Sequence, residues 1–472
     1  MTKYIAAIEI GSSRIKGTVA SARSGQPVKV LAIEDAPAGD SVRYGRIQNV
    51  REANDIVNDI IRRLENSPEV HPGRISTVFI ADGGRSLVSS TSDAVLNFGG
   101  EEELTLSTLE RLQKEAVFNL GSSSDVLAIA PRRFFVDSAE VKKIVGAFGS
   151  TVRGEFTIIT QAPENHKAIE RLFIESEGKE IKHNFVTRLL AQTEMALSDS
   201  DRQVGTLFVD FGAETTTLAA FRDGALVFAA ALPIGGANIT RDLSSVLNIT
   251  LDRAESIKHT KGLALADRNK FDAPDDETAE IVALTSARAG EILANVNNIL
   301  VEAGLRGSDF PGGIVITGGA SRLKGFSEMV EQLTKLKVRR ASVDSSVAIM
   351  PGVNIVDNFD IISLAKYAAA HSEADCVVYP EKTVEQEPVF VPDPEVESMA
   401  GRREIAEDDK DLLKDDDFRQ PDNIIEDINE LPKQAKDATT TRFNLMERIK
   451  KLGVKTADLF KPPFEGEDRG MD

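Results

Sequence analysis

Glu9 and Asp210 each sit near the end of an apolar run and are followed by a glycine-and-hydroxyl turn, in AAIEIGSSRIKGTVA over 6–20 and LFVDFGAETTTLAAF over 207–221. A third run, GGIVITGGASRLKG over 312–325, breaks at Gly318, Gly319 and Ala320. A buried strand that ends in a small-residue turn brings backbone N–H groups close to an anion. The amides and hydroxyls of Gly11, Ser12 and Ser13 suit terminal phosphates from one side. Asp210, Gly212, Thr215 and Thr216 offer the same chemistry from a second domain. At strand ends, the Glu9 and Asp210 carboxylates can orient the water shell of a Mg²⁺ ion. Gly318, Gly319 and Ala320 carry almost no side chain, so a purine or ribose can lie against their backbone. One such segment alone would read as an ordinary buried strand with a glycine turn. Three in this order, about 200 and about 100 residues apart, point to a nucleotide cleft built from two domains.

The elements that must position these turns are partly legible. Gly11, Ser12 and Ser13 lead into IKGTVA, read as the second strand of a hairpin. Apolar periodicity predicts a helix over 106–120, then two or three strands around Gly146, Gly149 and Gly154. Nothing in that stretch looks catalytic.

The three segments resemble the phosphate-1, phosphate-2 and adenosine motifs of the actin, Hsp70 and sugar-kinase superfamily. Between the second and third lies LPIGGANITRDLSSVLNITLDRAESIK over 232–258. With its Gly235-Gly236 pair and its Ala-Glu-x-Ile-Lys run, it resembles one branch, the bacterial division actin FtsA. DVLAIAPRRFFVDS over 125–138 and IVGAFGSTVRGEFTIIT over 144–160 resemble the inserted subdomain of that branch, which the resemblance assigns to subunit contacts and partner binding.

The resemblance implies an α/β, actin-like fold in two lobes, binding ATP and Mg²⁺. It adds Lys16, Gly235, Gly236, Glu255 and Lys258 to the nucleotide site, the last two near ribose and adenine. Glu255 and Lys258 also read as a solvated salt bridge one helical turn apart.

The implied domains are 1–84 and 163–203 for subdomain 1A, 85–162 for the inserted subdomain 1C, 204–235 for 2A and 236–306 for 2B. Residues 307–371 hold the adenosine motif and closing helix, 372–440 an acidic linker, 441–463 an amphipathic helix and 464–472 a tail.

Composition frames this reading. A chain of 472 residues with 41% hydrophobic content can bury more than one core. No run is long enough for a transmembrane helix, and the start reads as a strand rather than a signal peptide. The single cysteine, Cys376, excludes an intrachain disulfide, and five unclustered histidines suggest no transition-metal site. Between Glu373 and Glu430 stand 20 acidic and six basic side chains, so that stretch holds −14 of the net −19. The acidic balance leaves no case for nucleic acid. Low periodicity and several prolines predict a disordered, self-repelling linker of roughly 70 residues, with an r.m.s. span on the order of 45–50 Å. It reads as a spacer, although Val389-Phe390-Val391 and Ile424-Ile425 could form a binding segment.

Beyond it, TTRFNLMERIKKLGVKTADLFKPP over 440–463 is basic and periodic. Leu445, Met446, Ile449 and Leu452 share a stripe that Leu459 and Phe460 can extend, and Phe443 is a further membrane candidate. Arg448, Lys450 and Lys451 are the cationic membrane candidates. A cationic amphipathic helix on a long tether suits an anionic membrane surface, with docking onto the body as the alternative. FtsA proteins end in such a helix, whereas here nine residues follow Pro463.

The resemblance further implies a head-to-tail filament, other division partners and the cytoplasmic face of the inner membrane at the division site. It also implies capture of the C-terminal peptide of tubulin-like FtsZ, by Arg288 and Glu291 on a helix over 285–304. An exposed ion pair would give the same two residues. Where the superfamily reads Asp-x-Gly-Gly-Gly-Thr, this chain has Ala213 and Glu214, which restricts the loop and sets a carboxylate near phosphate charge. In the preceding TRLLAQTEMAL over 187–197, leucines stand where polymerising actins carry Glu or Gln. Slow or absent ATP turnover is therefore expected. A small-molecule kinase of the superfamily and a pilus-assembly or cell-shape scaffold are the competing readings. The first lacks a recognisable carboxylate base, and the insertion argues against the second.

Overall fold

The computed structural model describes residues 2–173, 181–267 and 271–380. The predicted linker, amphipathic helix and tail therefore lie outside the described residues, apart from 372–380.

Two sheets carry the same five-strand plan. In the first, Lys3–Ile10, Arg14–Ala22 and Val28–Pro37 form an antiparallel meander, and Thr77–Asp82 and Lys182–Thr187 add in parallel beside Lys3–Ile10. In the second, Thr206–Phe211, Thr216–Arg222 and Ala225–Leu232 repeat the meander, and Ile314–Thr317 and Val338–Arg340 add in parallel beside Thr206–Phe211. Buried on both faces, the leading strands are apolar almost throughout.

Helices cover both faces of the first sheet. Val50–Glu65 starts at Asn49, whose side chain accepts the Glu52 N–H at 3.2 Å. It packs tightly because Gly17 leaves room beneath it; a Cβ there would lie 2.5 Å from Ile60. Arg188–Ala196 and Ile355–His371 pack together near Lys3–Ile10. The latter helix closes a core running from Ile5 and Ile8 through Phe208 to Ile361 and Ala365.

In the second lobe, Gly236–Leu247, Leu251–Lys261 and Asp276–Glu302 cluster around Ile239, Leu243, Ile257 and Ile281. The helix predicted over 285–304 is longer than expected. Asp275 caps it by accepting the Thr278 N–H at 2.7 Å, and Asp276 and Glu277 favour its positive end, so it starts nine residues earlier.

The inserted stretch forms Val88–Glu103, helix Leu106–Leu120, Asp125–Val136, Ala139–Val141 and Phe148–Gln161 around Leu112, Val152 and Phe156. The predicted helix bounds agree, as does the upper number of strands. The 16-residue Val88–Glu103 was not foreseen. Its VSSTSDAVLNFG composition gives little apolar signal because most of it is exposed or half-exposed. Its first residue pairs with Ala230, joining the insertion to the second lobe's sheet as one nine-stranded sheet. Thr157 donates to the Leu226 carbonyl at 2.7 Å and Ser89 accepts the Ala229 N–H at 2.7 Å, reinforcing that single pairing.

Candidate functional site

The two meanders turn in the same way. Gly11 N–H donates to Arg14 O at 3.1 Å, and Gly212 N–H donates to Thr215 O at 2.9 Å. Ile10 pairs with Ile15 in one hairpin and Phe211 with Thr216 in the other, so both loops have four residues. They border a common chamber of about 160 Å³ with Glu9, Lys16, Arg188, Asp210, Gly318 and Asp360 in its walls.

This chamber is built to hold charge. Glu9 and Asp210 come from the leading strands, Asp360 from the closing helix, and Arg188 and Gln192 from one face of Arg188–Ala196. Arg188 Nη1 stands 3.7 Å from Glu9 Oε1, while Gln192 Nε2 donates to Asp210 Oδ2 at 3.0 Å and Asp360 Oδ1 at 2.6 Å. Lys16 Nζ donates to the Asp357 carbonyl. Burial, with Asp360 adding to it, pushes Glu9 up to about 7 against the pull of Lys16 and Arg188. Burial and Asp360 likewise push Asp210 up to about 6. Burial opposes charge on Arg188, but Asp210, Glu9 and Asp360 outweigh it and hold its pKa above the usual value.

Two buried oxygens here, Glu9 Oε2 and Gln192 Oε1, have no hydrogen-bond partner. Oxygen acceptors of this kind suit a hard cation such as Mg²⁺. Among the described residues no group of three Asp, Glu, His or Cys side chains could hold a metal directly. These oxygens fit the water shell of such an ion rather than direct ligation.

A second chamber of about 440 Å³ shares Ser12, Ser13, Ala213, Glu214 and Gly319 with the first, so the two form one cleft. Its volume falls in the range of small-ligand sites. Gly236 and Ala320 lie close across it; a Cβ on Gly236 would stand 2.9 Å from the Ala320 Cβ. Gly318 has φ of 86°, and a Cβ there would lie 2.3 Å from Phe211 O and 2.4 Å from Asp210 Oδ1. Only glycine suits that junction of the second and third segments.

On the far wall Lys258 Nζ bonds Glu255 Oε2 at 2.7 Å and Thr240 Oγ1 at 3.0 Å, and His259 Nε2 lies 2.9 Å from Glu255 Oε1. Glu255 and Lys258 thus form the i, i+3 ion pair and also line the chamber.

Some expected residues fall elsewhere. Thr216 is fully buried and donates to the Ile234 carbonyl at 2.8 Å, so it lines neither chamber. Gly235 packs beneath the second turn, where a Cβ would meet Gly212 O and Ala213 O at 2.6 Å. Arg288 is gripped by Asp242, with Nε–Oδ2 at 2.6 Å and Nη2–Oδ1 at 2.9 Å, and also pairs with Glu291. Phe443, Leu445, Met446, Arg448, Ile449, Lys450, Lys451 and Leu452 lie outside the described residues.

Glu214 corrects an expectation of repulsion. Its carboxylate is only 2% exposed and is paired with Arg43 Nη1 at 3.1 Å and Arg241 Nη2 at 2.7 Å. The charge expected to oppose phosphate is neutralised within the protein.

Arg188, Gln192 and Asp360 escaped the sequence reading. The four-residue spacing of Arg188 and Gln192 places them on one helical face, a signal the flanking leucines obscured. Asp360 stands 150 residues from Asp210 and has no local signature.

A family model described as "Cell division protein FtsA" matches residues 207–372. The chain is 27% identical over 367 residues to a cell division protein FtsA of Porphyromonas gingivalis, covering 74% of this chain and 75% of that one. With the Neisseria meningitidis protein of the same name it shares 26% over 356 residues, covering 71% and 83%. A solved PilM–PilN type IV pilus biogenesis complex superposes with a TM-score of 0.54 at 15% identity, over 78% of this chain and 99% of that one. At that identity the last likeness speaks to fold alone.

Proposed function

The chain belongs to the FtsA family of actin-like cell division proteins, and from that premise we propose that it is a nucleotide-loaded filament subunit that tethers FtsZ filaments to the cytoplasmic membrane. The observation that carries the reading is the matched pair of glycine turns facing one charged chamber.

In this reading the amides and hydroxyls of Ser12 and Ser13 hold terminal phosphates from the first lobe and Thr215 holds them from the second, while the Gly11 and Gly212 N–H groups close the two turns. Lys16 neutralises phosphate charge. Glu9 and Asp210 would hold Mg²⁺ through its waters, and the ion would supply positive charge to the phosphates. Gly236, Glu255, Lys258, Gly319 and Ala320 enclose the nucleoside.

Bound nucleotide would thereby set the relative position of the lobes, and so the shape each subunit presents to the next. Head-to-tail contacts are heterologous and leave open ends, as a filament requires. The 441–463 segment then supplies weak membrane contact per subunit, made durable by avidity along the filament. Arg288 and Glu291, on the outer helix of the second lobe, would take the FtsZ peptide. For that to happen, Arg288 would have to exchange part of its Asp242 pairing.

Liposome co-sedimentation of the intact chain with ATP and Mg²⁺, against a version ending at Lys436, tests the tether. The intact chain should pellet with anionic vesicles and the shortened one should remain in the supernatant. Equal pelleting of the two would remove the membrane role.

A further inference from the structure

At the mouth of the cleft, strands Val42–Arg43 and Arg46–Ile47 form a two-residue hairpin whose tip is Tyr44 and Gly45. Both tip residues are left-handed, with φ of 52° and 68°. For Tyr44 this conformation is unfavourable and persists only when surroundings enforce it.

The enforcement comes from both lobes. From the first, Gly45 N–H donates to Ser12 Oγ at 2.8 Å, and Arg85 N–H donates to Tyr44 O at 3.3 Å. From the second, Glu214 Oε2 accepts Tyr44 N–H at 2.7 Å and Glu214 Oε1 accepts from Arg43 at 3.1 Å. Arg241 completes the junction: it donates to Glu214 at 2.7 Å and to Tyr44 Oη at 3.2 Å, and its guanidinium lies 5.7 Å from the Tyr44 ring centroid.

Glu214 belongs to the same turn as Gly212 and Thr215, and it borders both chambers. Its contacts with Arg43 and Tyr44 link the phosphate-facing turn of one lobe to the other. Charge-assisted bonds in a water-poor position are strong, and separating the partners leaves charges that water must reach.

We propose that Glu214 is the catch of an interlobe latch: it fastens the second phosphate-facing turn to the Arg43–Tyr44 hairpin, and breaking it is the step that lets a bound nucleotide leave. The gating half rests on the nucleotide-holding function proposed above; the fastening half does not. Glu214 is a positioning residue, and it acts on the ligand through lobe closure.

Hydrogen exchange on the full chain without nucleotide tests the fastening. In Glu214→Ala, the Tyr44 amide should exchange at least about tenfold faster, while strand Lys3–Ile10 keeps its protection. Unchanged protection at Tyr44 would overturn the latch. If Glu214→Ala also loosens Lys3–Ile10, Arg43→Gln serves instead, because that side chain is 42% exposed and leaves Glu214 paired with Arg241. The expected result is the same rise in exchange confined to 40–49.

Release of a fluorescent ATP analogue into excess unlabelled ATP tests the gating. Each single variant should release about tenfold faster than the parent, and the double variant no faster than the quicker single, because both break one device. Additive acceleration, or rates equal to the parent, would overturn the gating. If the parent binds no analogue, the nucleotide function fails, and the exchange experiment still decides the fastening.

Discussion

Replacing Glu9 by Gln should stabilise the ligand-free protein at alkaline pH, and the size of the effect follows from the buried chamber. Burial and Asp360 raise this carboxyl from an ordinary 4.5 to about 7. Ionising Glu9 in the fold therefore costs roughly 3 kcal/mol more than in the unfolded chain. The folded state binds the extra proton between pH 4.5 and 7, so stability falls as pH rises through that window and is flat above it. Glutamine carries no such charge. The variant should match the parent near pH 4.5 and exceed it by roughly 3 kcal/mol at pH 8. For a folded body of about 370 residues, at about 2.1 cal/mol/K per residue, that is a rise in Tm of roughly 4 °C.

Asp210, raised to about 6 beside it, loses one neighbouring negative charge and adds to the same trend. Thermal scans of both proteins from pH 4.5 to 8 measure the divergence. Mg²⁺ with ATP should reverse its sign, because the parent's carboxylate then has a cation to face. Two melting curves that stay parallel across the whole range would refute the reasoning about the chamber.

Gly318→Ala should lose several kcal/mol and abolish nucleotide binding, because its Cβ would lie 2.3 Å from Phe211 O in a left-handed backbone; melting and a nucleotide titration check both. Arg288→Ala strips Asp242 of its guanidinium partner, at a cost of about 1–3 kcal/mol, and should weaken binding of an FtsZ C-terminal peptide, read by calorimetry. Steady-state ATP turnover should stay on the order of 10⁻³ s⁻¹ or below, since the second turn presents Ala213 and an arginine-paired Glu214 to the phosphates rather than further donors; clear turnover by the purified chain would contradict this.

The parts of this fold that were legible are those where one segment carries its own signal. The strands ending at Ile10, Phe211 and Thr317 are continuous apolar runs, and the helix Leu106–Leu120 shows clean periodicity. Strand Val88–Glu103 failed that test because its partners, not its composition, make it a strand: it is held along its length by Phe148–Gln161. Asp360 failed for a related reason. Its role comes from helix Ile355–His371 packing beside Lys3–Ile10, a contact between residues more than 300 apart. Glu214 reads in the sequence as an unpaired negative charge, because the arginines that neutralise it, Arg43 and Arg241, come from other elements.

The duplicated hairpin explains why the two turns need not do equal work. With Ile10 and Phe211 as matching strand ends, Ser12 corresponds to Ala213 and Ser13 to Glu214. The first turn thus presents two hydroxyls where the second presents a methyl and a carboxylate. Hydroxyls and amides can take up phosphate; a methyl cannot, and a carboxylate already gripped by two guanidiniums has no reason to. The first turn offers two hydroxyls for an anion, while in the second Thr215 is the hydroxyl that remains and Glu214 joins the lobes. A cleft divided in this way holds its closed form partly by its own ion pairs. In the function proposed above, nucleotide would then adjust how long the lobes stay together.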